Sequence, residues 1–69
     1  MSERLLNRVR QEREARGWTQ AALAERIGVS RKTVNTIENL VFSPSALLAL
    51  KFAEAFDSRV EAIFWIDRS

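Results

Sequence analysis

The sequence predicts an all-α fold: five short helices packed as one compact domain. Three observations carry that reading. Apolar residues recur at three- and four-residue intervals through nearly the whole chain. Thr19, Ser30 and Ser45 each stand one place ahead of such a stretch, where helix N-caps belong. Gly17 and Gly28, the only two glycines, fall where stretches end. At 69 residues the chain has room for a single domain spanning 1–69, with no internal repeat, low-complexity tract or linker. A domain of this size buries only about 60% of the surface its unfolded chain exposes, so its stability margin is thin.

The first helix is expected from about Glu3 to Arg16, with Leu6, Val9 and Arg13 on one face and Gly17 as a left-handed stop. Thr19 caps a second helix, about Gln20 to Ile27, whose inner stripe is Leu23, Ala24 and Ile27. Gly28 permits the positive φ of a tight turn. Ser30 caps a third helix, about Arg31 to Asn39, with Val34 and Ile37 facing inward and Glu38 beside them. The β-branched Thr33, Val34 and Thr36 weaken its intrinsic propensity, so packing must hold it. After a connector ending in Pro44, Ser45 caps a fourth helix, about Ala46 to Phe56. Its Leu48, Ala49, Phe52, Ala53 and Phe56 mark it as the buried central helix, and Asp57 is its left-handed stop. A last short helix, about Val60 to Trp65, docks Val60, Ile63 and Phe64. Trp65 and Ile66 lead to a charged end that reads as a short extended segment or a frayed tail.

Composition excludes much chemistry. No cysteine is available for a disulfide or thiolate site, and no histidine for a metal or a general base. With nothing to activate a nucleophile, no glycine-rich phosphate loop and no metal-ligand spacing, an enzyme is not expected, nor any cofactor, metal or small-molecule ligand. MSERLLNRVRQER has no apolar stretch of the signal-peptide kind. ALLALKFAEAF is broken by Lys51 and Glu54 and is too short to cross a bilayer, so no membrane association is expected. The net charge is only +2, and arginines alternate with glutamates at helical spacing, as in Glu12 and Arg16. Most of the charge therefore reads as a solvated face with i,i+4 pairs.

The stretch QAALAERIGVSRKTVNTIEN, residues 20–39, is the most informative. Two helices that cross steeply at a short turn need a small residue where their backbones approach, and Ala24 sits there. Gly28 supplies the turn, and Leu23, Ile27, Val29, Val34 and Ile37 fill the wedge. The helix after the turn carries a polar, partly basic outer face, the pattern of a DNA-reading helix-turn-helix. Arg31 and Lys32 in a first helical turn oppose the macrodipole at about 0.3–1 kcal/mol each when exposed. A purely structural surface would more naturally carry glutamate there.

Together RGWTQAALAERIGVSRKTVNTIEN, SPSALLALKFAEAF and VEAIFW make the chain resemble the phage repressor and Cro-type (XRE-type) transcriptional regulators, in particular short single-domain bacterial members. The resemblance covers almost the whole chain and implies a lambda-repressor-like five-helix fold. It implies that the helix after the turn enters the major groove of double-stranded DNA, with Arg31, Lys32, Asn35 and Thr36 facing bases. Arginine or lysine suits the guanine acceptors, asparagine suits adenine, and the Thr36 methyl suits thymine. Phosphate contacts are implied for Thr19, Gln20, Ser30, Thr33 and Asn39, with Gln20 also bracing the reading helix and Asn39 reading equally well as a C-terminal cap. Arg10 and Arg16 extend that track only weakly. Arg13 and Glu38 match a family ion pair that is structural.

The chain departs from the family pattern at several positions. Glu12 often has leucine in its place, Leu40 and Val41 replace a Gly-Lys-type connector, and Arg59 replaces a hydroxyl cap. Without glycine the third helix cannot take a left-handed cap cheaply. Leu40, Val41, Phe42 and Leu47, joined by Trp65 and Ile66, form extra apolar surface. Either Phe42 and Trp65 fold into the core, or the set forms a contiguous patch for a homodimer. The expected function is a regulator, repressing as a homodimer on a palindromic operator in the cytoplasm, at the nucleoid. The alternatives are an antitoxin whose patch binds a toxin, and a protein–protein adaptor on the same fold; Arg31 and Lys32 argue against the adaptor.

Overall fold

The structure, a computed structural model, describes residues 3–68. In chain order it runs β1 (Arg4–Asn7), α1 (Val9–Ala15), α2 (Gln20–Ile27), α3 (Arg31–Glu38), α4 (Ala46–Ala55), α5 (Val60–Ile63) and β2 (Phe64–Asp67). Five helices are present among the described residues, as the periodicity implies. The fold is nevertheless not all-α, because β1 and β2 pair antiparallel. Arg4 faces Asp67, Leu5 faces Ile66, Leu6 faces Trp65 and Asn7 faces Phe64.

This ribbon corrects both ends of the helical reading. The first helix does not begin at Glu3. Residues 4–7 are extended, and the Arg8 N–H donates to the Ile63 carbonyl at 3.0 Å, prolonging the cross-chain pairing. Asn7 makes the corner: its side-chain oxygen accepts from the Val9 N–H at 3.0 Å, and its amide donates to the Ile37 carbonyl at 3.1 Å. The last helix stops at Ile63 rather than Trp65, since Phe64 is already extended at φ −124°, ψ 141°. The charged end thus takes the strand reading. Hydrogen-bond partners from the opposite end of the chain decide both changes, and local periodicity does not contain them.

The helix caps fall where the hydroxyl residues lie. Thr19 accepts from the Ala22 N–H, Ser30 from Thr33 and Ser45 from Leu48. Helices α1, α3 and α4 all end in one way: the residue two places past the helix has positive φ, and two backbone N–H groups fold back onto the last turn. At α1 this residue is Gly17, φ +70°. At α4 it is Asp57, φ +51°, as expected. At α3 it is Leu40, φ +60°, with Leu40 N–H to Ile37 at 3.1 Å and Val41 N–H to Thr36 at 2.9 Å. The left-handed cap forms without its glycine.

The core joins every element except β1, which adds the half-buried Leu5 at its edge. Val9, Leu23, Ala24, Ile27, Val34, Ile37, Phe52, Phe56, Ile63 and Phe64 are buried. Phe52 lies at its centre, its ring centroid 6.5 Å from Phe56 and 5.9 Å from Phe64. Fully burying one such side chain is worth about 1.5–3 kcal/mol. Because Leu23, Val34 and Ile37 are all sealed in this core, α3 can turn only its opposite face outward.

Candidate functional site

The site is the α2–turn–α3 unit. Gly28, at φ +77°, ends α2 with its N–H on the Ala24 carbonyl at 2.9 Å, and the Val29 N–H shares that acceptor at 3.0 Å. The chain then reaches Ser30, whose extended backbone launches α3. Val34 and Ile37 point inward with no exposure, which leaves Arg31, Lys32, Asn35 and Asn39 exposed on the outer face. Thr33, Thr36 and Glu38 are intermediate.

Arg31 and Lys32 take part in none of the salt bridges among the described residues. No acidic residue lies in the first turn of α2 or of α3. The N-terminus of α3, with its partial positive charge, thus carries two cations that no carboxylate among the described residues pairs. Thr36 turns its hydroxyl to the Thr33 carbonyl at 3.0 Å, which leaves its methyl for apolar contact. Ser30 and Thr33 share a hydroxyl–hydroxyl bond of 3.0 Å. Thr19 is exposed at the start of α2.

Behind this face lies an ionic hub on Glu38, whose side chain has 0% exposure. Arg13 Nε donates to one carboxylate oxygen at 2.7 Å and Nη2 to the other at 3.2 Å, a bidentate pair. Arg10 Nε lies 3.4 Å and the Gln20 amide nitrogen 3.1 Å from that second oxygen. Burial acts to raise the Glu38 pKa, but hydrogen bonds from Arg13 and Gln20 and the Arg13 charge outweigh it and hold the carboxyl below its ordinary value. The hydrogen bond to Glu38 likewise raises Arg13. The Arg13 Nη1 also donates to the Trp18 carbonyl at 2.8 Å, so the pair fixes both α3 and the entry to α2 onto α1.

The two other arginines in and just after α1 divide. Arg10 reaches the Asn39 side-chain oxygen at 3.1 Å and stands at the C-terminal end of α3. Arg16 donates to the Phe56 carbonyl at 2.7 Å and to Glu12 at 2.9 Å, which binds it to the end of α4. That Arg16 hydrogen bond is the main cause holding the Glu12 carboxyl below its ordinary value. Asn39 is the C-cap of α3, its amide returning to the Asn35 carbonyl at 2.9 Å.

Three residues were not singled out by sequence reasoning. Asn7 ties the ribbon to the end of α3. Trp18 stacks on Phe56 at 6.0 Å and carries the Arg26 guanidinium 4.0 Å above its ring. Its only signal was an aromatic directly after a helix-ending glycine. Leu50 is 59% exposed beside Leu47 on α4.

All six residues expected to form extra apolar surface are exposed. Phe42 and Trp65, at 49% and 43%, are not core residues. The set does not lie on one continuous face of the ribbon, because neighbours along a strand project to opposite sides. Ile66 pairs with Leu5, which packs on the core, whereas Trp65 pairs with Leu6 on the outer side. Leu40, Val41 and Phe42 border an open hollow of about 250 Å³ shared with Leu5. Leu47 lines a separate one with Val29. Among the described residues no helix is long and apolar enough to cross a membrane.

Residues 9–63 match the helix-turn-helix family. The chain is 43% identical over 61 residues to YgzD of Bacillus subtilis, an uncharacterised helix-turn-helix-type transcriptional regulator, covering 88% of this chain and 92% of that one. An uncharacterised regulator of the same type from the archaeon Archaeoglobus fulgidus is 40% identical over 60 residues, covering 87% and 86%. Among solved structures, the N-terminal DNA-binding domain of SinR from Bacillus subtilis superimposes with a TM-score of 0.71 at 28% identity, over 77% of this chain and 78% of that one. A Bacteroides fragilis protein shares the fold with a TM-score of 0.78 at 24% identity, over 88% and 98%.

Proposed function

The chain belongs to the helix-turn-helix family of XRE-type regulators, and from that premise we propose that it is a sequence-specific double-stranded DNA-binding transcriptional regulator, a repressor acting as a homodimer on a palindromic operator. The observation that carries the reading is the pair Arg31 and Lys32: exposed, without carboxylate partners among the described residues, in the first turn of the helix that leaves the core with one free face. An α-helix of this width enters the major groove, where its N-terminal side chains meet base edges. Arg31 and Lys32 suit guanine, Asn35 adenine and the Thr36 methyl thymine.

The capped start of α2 supports phosphate contacts by Thr19 and Gln20, and the start of α3 supports them by Ser30 and Thr33. Asn39, with Arg10 beside it, would hold the strand at the far end of α3. Such a protein represses by occluding the transcription machinery and works in the cytoplasm on the nucleoid.

Arg31→Ala and Lys32→Ala are expected to leave the circular dichroism spectrum unchanged and weaken specific binding in a mobility shift. Loss of Arg31 should cost about 1–3 kcal/mol and relax preference at one base pair. Undiminished affinity of the doubly substituted protein for its selected site would overturn the reading face.

A further inference from the structure

We propose that Glu38 and Gln20 act together as positioning residues that set the polarity of the Asn35 carboxamide, making it an adenine reader; this rests on the DNA-reading function above. The chain of contacts runs from the protein interior to the outer face. The Glu38 carboxylate is fully enclosed and receives Arg13, Arg10 and Gln20. A carboxylate only accepts, so Gln20 must turn its amide nitrogen inward, at 3.1 Å, and its oxygen away. That oxygen lies 3.5 Å from the Asn35 amide nitrogen. A carbonyl oxygen also only accepts, so Asn35 must in turn direct its NH₂ to Gln20.

Reversal is disfavoured at both links, strongly at the enclosed 3.1 Å link to Glu38 and less so at the exposed 3.5 Å link to Asn35. A flipped Gln20 would set its oxygen against the carboxylate, and a flipped Asn35 would set two carbonyl oxygens together. Asn35 is exposed and keeps one N–H and its own oxygen uncommitted by this relay. Adenine offers one acceptor, N7, and one donor, the N6 amine, on its major-groove edge, and an acceptor–donor pair matches it. Guanine offers two acceptors, against which the fixed oxygen is repelled. The ionic hub that holds α1, α2 and α3 together therefore also carries directional information to the groove.

The test begins with selection of bound duplexes from random DNA by the full chain, followed by binding to every single-base variant of the selected site. Asn35→Ala is expected to lower the adenine preference about tenfold at one position per half-site. Gln20→Met keeps length and helix start but breaks the relay. It should lower preference at that same position to the Asn35→Ala level, and adding Asn35→Ala should lower it no further.

If Gln20→Met weakens every sequence equally and leaves the Asn35-dependent preference intact, the relay is wrong. If Asn35→Ala changes no base preference while the unaltered chain still selects a motif, the inference falls and the regulator stands. If the unaltered chain selects no motif, both fall. Circular dichroism on each variant separates a lost fold from a lost preference.

Discussion

Glu38 shows how one buried charge can join folding to recognition. Its side chain is sealed, and its partner Arg13 is only 11% exposed, so removing either leaves the other charged and nearly dry. Glu38→Ala should destabilise the domain by about 3–5 kcal/mol, so loss of DNA binding in that variant would not by itself distinguish a lost fold from a lost reading geometry. The pH dependence has a definite sign. Folding lowers the Glu38 pKa, so its contribution is complete above the unfolded-chain value, near the ordinary 4.5, and fades as pH falls through the lower folded value. Glu12 has the same sign. Arg13 is shifted upward by its hydrogen bond to Glu38, so its share is lost only in strongly alkaline solution. In urea titrations from pH 7 downward, the stability gap between the unaltered chain and Glu38→Gln should stay constant to about pH 5 and then close. A gap unchanged at pH 3 would show that the carboxylate's charge is not what the site uses.

At the scale of elements, the helix ends are the more informative feature. Gly17, Leu40 and Asp57 occupy equivalent positions past three helices, all with positive φ. Glycine bears this conformation without strain and aspartate with little, but leucine costs roughly 1–2 kcal/mol there. Leu40 is also 42% exposed, so its side chain recovers only part of that by burial. Leu40→Gly should relieve the strain, offset by about 0.4–1 kcal/mol of extra freedom in the unfolded chain. We expect a net gain of about 0.5 kcal/mol, read as a rise of about 2–4 °C in thermal unfolding. A loss larger than 1 kcal/mol would mean that the leucine's contacts with its neighbours outweigh its backbone strain. Helix α3 lacks any such freedom. Its β-branched residues favour it poorly, and Val34 and Ile37 hold it by packing.

For the molecule as a whole, the exposed apolar residues bear on assembly. Leu40, Val41 and Phe42 border the hollow shared with Leu5, whose strand partner is Ile66; Trp65 lies on the other face of the ribbon, and Leu47 and Leu50 are exposed on α4. A small domain with this much uncovered apolar surface gains stability by pairing. The expectation is a two-fold dimer at micromolar concentration, with its recognition helices about 34 Å apart and a palindromic site. Sedimentation without DNA checks it: a monomer at high concentration would remove the dimer in its simplest form, and Phe42→Ser in a true dimer should shift the equilibrium toward monomer.

What the sequence by itself determined is the helix-turn-helix. The bounds of α2, the start of α3, the Gly28 turn and the inward stripe of Leu23, Ala24, Ile27, Val34 and Ile37 were legible because caps, turns and helical faces act within four residues. For the same reason Arg31, Lys32 and Asn35 could be assigned to the outer face. The tertiary structure decided what joins distant parts of the chain. Residues 4–7 became a strand because β2 offers their backbone a partner from the other end of the chain. Leu40 took a left-handed cap because the fold needed the turn there. Trp18 and Asn7 acquired roles through contacts with Phe56 and Ile37, and Asn35 acquired a direction through Gln20 and Glu38. Local sequence sets which face a side chain occupies; only neighbours brought in by folding set which hydrogen bonds remain for it to make.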